Sequence, residues 1–199
     1  DIGGWNTSNV TNMKGMFSGA NAFDQNIGIW DTGTVEDMSE MFYGASTFNQ
    51  NIEGWDTSNV DDMSSMFQDA KTFNQAIGNW NTSRVRYMDL MFQGASKFNQ
   101  DLRNWDTSCV YDMNSMFKNA VDFDRNIGSW DIVSLTDAQD MFSVMKLSTA
   151  NYDALLNGWN SEYLQSGIIF GGGNSDYCAD ESAREHMISS FGWTITDGG

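Results

Sequence analysis

Apolar positions recur along this chain at a fixed pitch. Trp5, Trp30, Trp55, Trp80, Trp105 and Trp130 follow one another every 25 residues without an insertion. In the same register run Val10, Val35, Val60, Val85, Val110 and Leu135, then Met13, Met38, Met63, Met88 and Met113. Met16, Met41, Met66, Met91, Met116 and Met141 come next, each followed by Phe, and after them Ala20 and Phe23 with their equivalents up to Ala120 and Phe123. Ile27, Ile52, Ile77, Leu102 and Ile127 close the unit, so that eight apolar columns share one pitch. A single unit has too little apolar surface to offset its own ordering entropy and is stable only with neighbours on both faces. Columns of common pitch therefore imply stacked coils. The pattern predicts a repeat solenoid of about six coils over residues 1–146.

Within a unit the stretch V-x-x-M-x-x-M-F-x-x-A, as in Val10, Met13, Met16, Phe17 and Ala20, places apolar residues on one face of a helix. It predicts a short helix over about Ser39 to Ala45 and at the equivalent places. The first part, V-T-N-M, is short and begins with a β-branched residue, so it fits an extended segment as well. The I-x-x-W-(D/N)-T stretch, as in Ile52 to Thr57, reads as a short strand followed by a turn. Each coil then has a strand edge and a helix edge, which is the logic of a leucine-rich-repeat type α/β solenoid with Met and Phe in place of many leucines. Strand and crossover chirality make it right-handed.

Beyond Leu147 the period breaks. Leu147 with Ser148 or Thr149 forms a staple and N-cap for a helix carrying Leu155, Leu156 and Trp159, with Gly158 near its end. Ile168, Ile169 and Phe170 suggest a strand before the turn Gly171 to Asn174. A second helix from about Asp180 to Ser190 presents Ala183, Met187 and Phe191 and stops at Gly192, and Trp193 to Thr196 reads as a last strand. Residues 147–199 are expected to form a small α/β cap on the open end of the stack, because terminal units of solenoids are atypical. The chain opens inside a repeat without such a cap, so further coils or another domain are expected ahead of it.

Composition narrows the chemistry. Twenty-seven acidic against ten basic side chains give a net charge of −17, which repels phosphate backbones and anionic lipid and argues against nucleic-acid binding. No apolar run approaches the length of a membrane helix, so this segment is expected not to insert into a membrane. The single histidine, His186, removes histidine-dependent triads and multi-histidine metal sites. Cys109 and Cys178 are too few for a disulfide framework or a zinc knuckle, although one bridge between them is conceivable. Proline is absent altogether, as expected of a recurring mould in which every slot needs its amide hydrogen. The Gly-rich segment FGGGN lacks the Lys-Ser or Lys-Thr of a phosphate loop and reads as a turn.

Among the columns, the tryptophans read as core rather than as a carbohydrate platform, and the methionines as adaptable filler. Candidate ligand-binding residues are those that break the pattern at the surface. Tyr43, Tyr87 and Tyr111 stand where other coils carry polar residues, and the fourth coil brings Arg84 and Arg86 together with Tyr87. After each Trp stand Asp or Asn and then Thr, a slot suited to capping turns. Two residues past the Val column come Asn12, Asp37, Asp62, Tyr87, Asp112 and Asp137. Stacked carboxylates repel, and the pairs Asp37 with Asp62 and Asp112 with Asp137 are candidates for calcium or for a basic partner.

The unit Phe48 to Ala70, FNQNIEGWDTSNVDDMSSMFQDA, resembles the 25-residue repeat of the BspA-like leucine-rich-repeat surface proteins, a family also abundant among mycoplasma lipoproteins. The segment from LSTANYDALLNGW to FGWTITDGG resembles the tail that often follows such repeats. The resemblance implies an extracellular adhesion or partner-binding module of a bacterial cell surface, part of a larger secreted or anchored protein. The sequence reading is then a monomeric, non-enzymatic module that needs no cofactor and presents a rigid acidic face to a protein or glycan of a host or neighbouring cell. Its rivals are a passive spacer and an ice-binding threonine ladder.

Overall fold

The computed structural model describes residues 2–160, 163–179 and 181–199. Residues 25 apart in sequence lie side by side. Single-residue parallel bridges join Asn12 to Asp37, Asp37 to Asp62, Asp62 to Tyr87, Tyr87 to Asp112 and Asp112 to Asp137. The ring columns follow the same succession. Phe42 stacks on Phe67 at 5.5 Å, Phe48 on Phe73 at 6.0 Å and Trp55 on Trp80 at 6.3 Å, with interplanar angles of 5–7°. Within one unit Phe42 and Phe48 stack at 3.9 Å. From the second unit onward the Val, Met, Met-Phe, Ala, Phe, Ile and Trp columns are all buried, and they form one continuous core.

The segments expected as helices are chains of turns instead. Among the described residues no α-helix, and no strand longer than a single bridge, precedes Thr149. In the second unit Met41, Tyr43 and Ala45 N–H close turns onto Met38, Glu40 and Phe42 within their own unit. The intervening Glu40, Phe42 and Gly44 N–H reach across to Ser64, Met66 and Gln68 carbonyls of the next unit. A helix would keep every one of those amides to itself. Two of these three turns, Met38 to Met41 and Phe42 to Ala45, have a positive φ at their third residue. Glu40 (58°) and Gly44 (67°) supply it, as do Ser65 with Asp69, Leu90 with Gly94, and Asp140 with Val144. The expected strand at Ile52 to Thr57 is likewise a turn, with Trp55 N–H bonded to the Ile52 carbonyl. The bridged residue lies between the Val and first Met columns, in the V-T-N-M part, which is the extended alternative for that stretch.

Side chains tie the opposite side of each unit. Trp55, Trp80, Trp105 and Trp130 Nε1 donate to the carbonyls of Ile27, Ile52, Ile77 and Leu102 at 3.0–3.2 Å. Thr32, Thr57, Thr82 and Thr107 hydroxyls donate to the carbonyls of Asp56, Asn81, Asp106 and Asp131. An amide ladder runs beside them: Asn49, Asn74, Asn99 and Asp124 N–H each donate to the side-chain oxygen of Asp24, Asn49, Asn74 and Asn99. The threonine column is only 0–5% exposed with its hydroxyls engaged, which leaves no threonine face for ordered water.

After Leu147 come α1 (Thr149–Trp159), β1 (Ile169–Gly171), α2 (Glu181–Phe191) and β2 (Thr194–Thr196), close to the expected order; Asp180, the expected start of α2, lies outside the described residues. Ser148 is the N-cap residue of α1, but its side chain does not cap it. Asp124 of the fifth unit anchors the start of the helix instead, accepting Ser148 N–H, Ser148 Oγ and the Asn151 side-chain Nδ2 on one oxygen. Gly192 ends α2 with φ +68°, a left-handed conformation that suits glycine. β1 and β2 pair in parallel, and Phe170 of β1 also bridges Ala138 of the sixth unit. Arg184 forks onto Asp197 through Nε (2.8 Å) and NH2 (3.1 Å), while Tyr152 donates its hydroxyl to the same carboxylate. Burial first, then this bond to Asp197, drive the Tyr152 hydroxyl far above its ordinary range. Cys109 and Cys178 are both free and exposed, so the conceivable bridge is not formed.

Candidate functional site

The bridging row gathers five of the nine candidate residues. Asp37, Asp62, Tyr87, Asp112 and Asp137 occupy consecutive rungs of it. In the adjoining column Tyr111 N–H donates to the Arg86 carbonyl, so Tyr87, Arg86 and Tyr111 form one patch across the fourth and fifth units. Tyr87 is 40% and Tyr111 42% exposed, in contrast to the closed ring columns within. Arg86 is paired with Asp61 of the unit before, and that bond raises its already high pKa further. Arg84 NH1 reaches Asn59 Oδ1 at 2.8 Å. Tyr43 is equally exposed but stands two units away in another column and does not join the patch.

The row's carboxylates are also structural. Asp37, Asp62, Asp112 and Asp137 each accept, on one oxygen, the N–H two residues further on, from Ser39, Ser64, Asn114 and Gln139. Asp37 takes Asn12 Nδ2 on its other oxygen. Calcium takes about 6–8 oxygens. The pairs Asp37 with Asp62 and Asp112 with Asp137 offer two carboxylates each, partly engaged, and do not make a calcium cage by themselves. Among the described residues no three of His, Cys, Asp and Glu come together in a set that could hold a metal ion.

Sequence reasoning missed Asp89. Where the second, third and fifth units read D-M-S or D-M-N, the fourth reads Y-M-D, moving the carboxylate two residues along from the turn-capping position. There it is half-buried, and desolvation, followed by the nearby charge of Asp112 and then of Asp62 and Asp137, pushes its pKa up to about 6. Asp112 is shifted upward by burial and by Asp137. The swap of Tyr for Asp was legible in the sequence, but the burial at the receiving slot was not.

Two clefts of about 350 Å³ flank the junction of the sixth unit with the C-terminal elements, one lined by Trp130, Ile132, Trp159 and Leu164 and the other by Asp140, Val144, Ile169 and Phe170. None of the candidate residues lines either.

The chain matches a family described as "Mycoplasma protein of unknown function, DUF285" twice, over residues 1–85 and, overlapping, over residues 50–159. No curated protein and no solved structure matches it. The two overlapping matches run through the repeats and into α1, and the chain belongs to the DUF285 family.

Proposed function

We propose that the chain is a non-enzymatic binding module of a bacterial cell surface: a solenoid of the BspA-like leucine-rich-repeat kind, covered at one end by residues 147–199. It engages a protein or glycan of another cell through the patch of Arg84, Arg86, Tyr87 and Tyr111. One observation carries this reading: half-exposed Tyr87 stands on a unit where cations outnumber anions, with half-exposed Tyr111 beside it on the next unit. Residues 75–99 hold Arg84, Arg86 and Lys97 against Asp89 alone, in a chain of net charge −17. Tyr and Arg are the residues in which binding energy concentrates, because they combine large contact area with fixed polar geometry. The family supports the reading only as far as the repeat; its function is not established.

The test is an array of surface proteins and glycans probed with the intact chain. Saturable binding is expected, weakened at least tenfold, or about 1.4 kcal/mol, by Tyr87→Ala and by Arg84→Glu. Absence of binding across the array, or binding indifferent to both substitutions, would favour the passive spacer.

A further inference from the structure

The first five units follow their tryptophan with Asp or Asn, then Thr, then Ser or Gly, but the sixth reads Asp131, Ile132, Val133. The threonine hydroxyls of that column tie one unit to the next, as Thr107 does to the Asp131 carbonyl, and Ile132 has none to give. Its side chain instead makes part of an apolar floor for the cleft of about 350 Å³ between the sixth unit and the end of α1, together with Trp130, Trp159 and Leu164, each 1–7% exposed. Asp131, Val133 and Tyr163 stand exposed around it as a rim. One polar atom of the floor is unpaired. Seven tryptophans are buried, and six of them donate Nε1 to a carbonyl: the four already described, Trp30 to Ile2, and Trp193 to Gln165. Trp159 Nε1, closed off beneath the surface, has no acceptor. Phe170 packs against its ring at 5.3 Å. A buried indole N–H normally finds a partner, and one without it marks a place where a partner is missing.

We propose that this cleft is a binding site for an N-acetylated hexose, whose acetamido carbonyl accepts the Trp159 N–H. The chemistry of the walls selects this class. An acceptor for a donor that lies out of reach of bulk water must arrive on an apolar group, and the acetyl methyl is one, suited to Ile132 and Leu164. At the rim, Val133 N–H takes one oxygen of Asp131 at 3.0 Å, and the other is available to a sugar hydroxyl, which donates. Among the described residues no Lys, Arg or His lines the cleft, and in a chain of net charge −17 the Asp131 carboxylate turns anions away. An ammonium group has only donors and would leave the Trp159 N–H unpaired. The volume lies near the lower end of the range for ligand pockets, about 300–1,000 Å³, as befits a single sugar.

The test is a titration of the intact chain, labelled with ¹⁵N at its eight indoles, with N-acetyl-D-glucosamine and N-acetyl-D-galactosamine, and with D-glucose as the sugar that lacks the acetamide. The Trp159 signal is the one that disappears in Trp159→Phe. It is expected to move downfield and saturate with at least one of the acetylated sugars, to respond at least tenfold more weakly to glucose, and to do so while the Trp30 and Trp55 signals stay in place. Affinity in the variants is read from the sugar's own acetyl methyl signal. Trp159→Phe is expected to weaken binding about tenfold. Asp131→Asn keeps the turn, since Asn81 holds the same slot and accepts the Ser83 N–H in the same way, but it replaces a carboxylate by an amide and is expected to weaken binding several-fold. A Trp159 signal indifferent to both acetylated sugars overturns the proposal. So does an equal response to glucose, or binding that neither substitution alters. None of these results depends on the patch around Tyr87.

Discussion

Asp89 shows how one residue can work against the array that contains it. Its carboxyl, pushed up to about 6 by burial and by the charges of Asp112, Asp62 and Asp137, binds a proton more tightly in the folded chain than in the unfolded one. Ionised Asp89 therefore costs stability above pH 6; that cost fades as the pH falls toward the unfolded value near 4 and is gone below it. Asp89→Asn is expected to raise Tm at pH 7.5 by about 2–4 °C, corresponding to about 1 kcal/mol once solvent screening of a half-exposed group is allowed for. Thermal unfolding at pH 7.5 and at pH 4 checks this, since an equal gain at both would mean that charge is not the cause. Asp124 has the opposite sign. Burial pushes its pKa up, but the bonds from Asn151 and Ser148 outweigh that and hold it below the ordinary range. Its contribution is present above about pH 4 and is lost as the pH falls further. The inward columns were legible residue by residue because a fixed pitch admits one interior. Asp124 as the anchor for the start of α1 was not, because its partners lie 24 to 27 residues away in the C-terminal segment.

At the scale of elements, apolar spacing misled where two backbone solutions share it. The intervals i, i+3, i+6, i+7 and i+10 mark one face of a helix, but a succession of three-residue steps turning about a core produces them too. What separates the two is the destination of alternate amides, which side-chain pattern does not record. Gly15, Gly19, Gly44, Gly94 and Asn119, all at positive φ, were the available signal, since such residues sit poorly inside helices. The C-terminal helices and strands were readable because local chemistry bounds them, Gly192 above all. What joins them was hidden: Asp197, with its side chain 2% exposed, links α2 through Arg184 and α1 through Tyr152. Asp197→Ala is expected to cost about 3–5 kcal/mol by leaving Arg184 without its partner, and Tyr152→Phe only about 1–2 kcal/mol. Denaturant midpoints measure both, and similar costs for the two would mean that the ion pair does not dominate.

For the molecule as a whole, translational repetition is the organising fact, and proline has no place at the slots that send N–H groups across to the next unit, which recur from copy to copy. Removing residues 52–76 excises one full period and returns every column to register. Removing residues 52–75 leaves each later column one place out. The first deletion is expected to give a cooperatively folded chain of somewhat lower Tm, and the second to lose the native near-ultraviolet signal of its stacked indoles. Circular dichroism through a thermal ramp distinguishes them, and equal behaviour would show that phase is not what holds the array together.

The rungs between units point along the direction in which the units succeed one another. Tension applied through Ile2 and the C-terminal end meets these rungs one unit after another rather than all together, so the array yields by peeling. Each unit that lets go releases 25 residues, about 80–90 Å of slack when drawn out, while those behind it stay intact. A chain built this way lengthens in steps under load instead of parting at a single weak point.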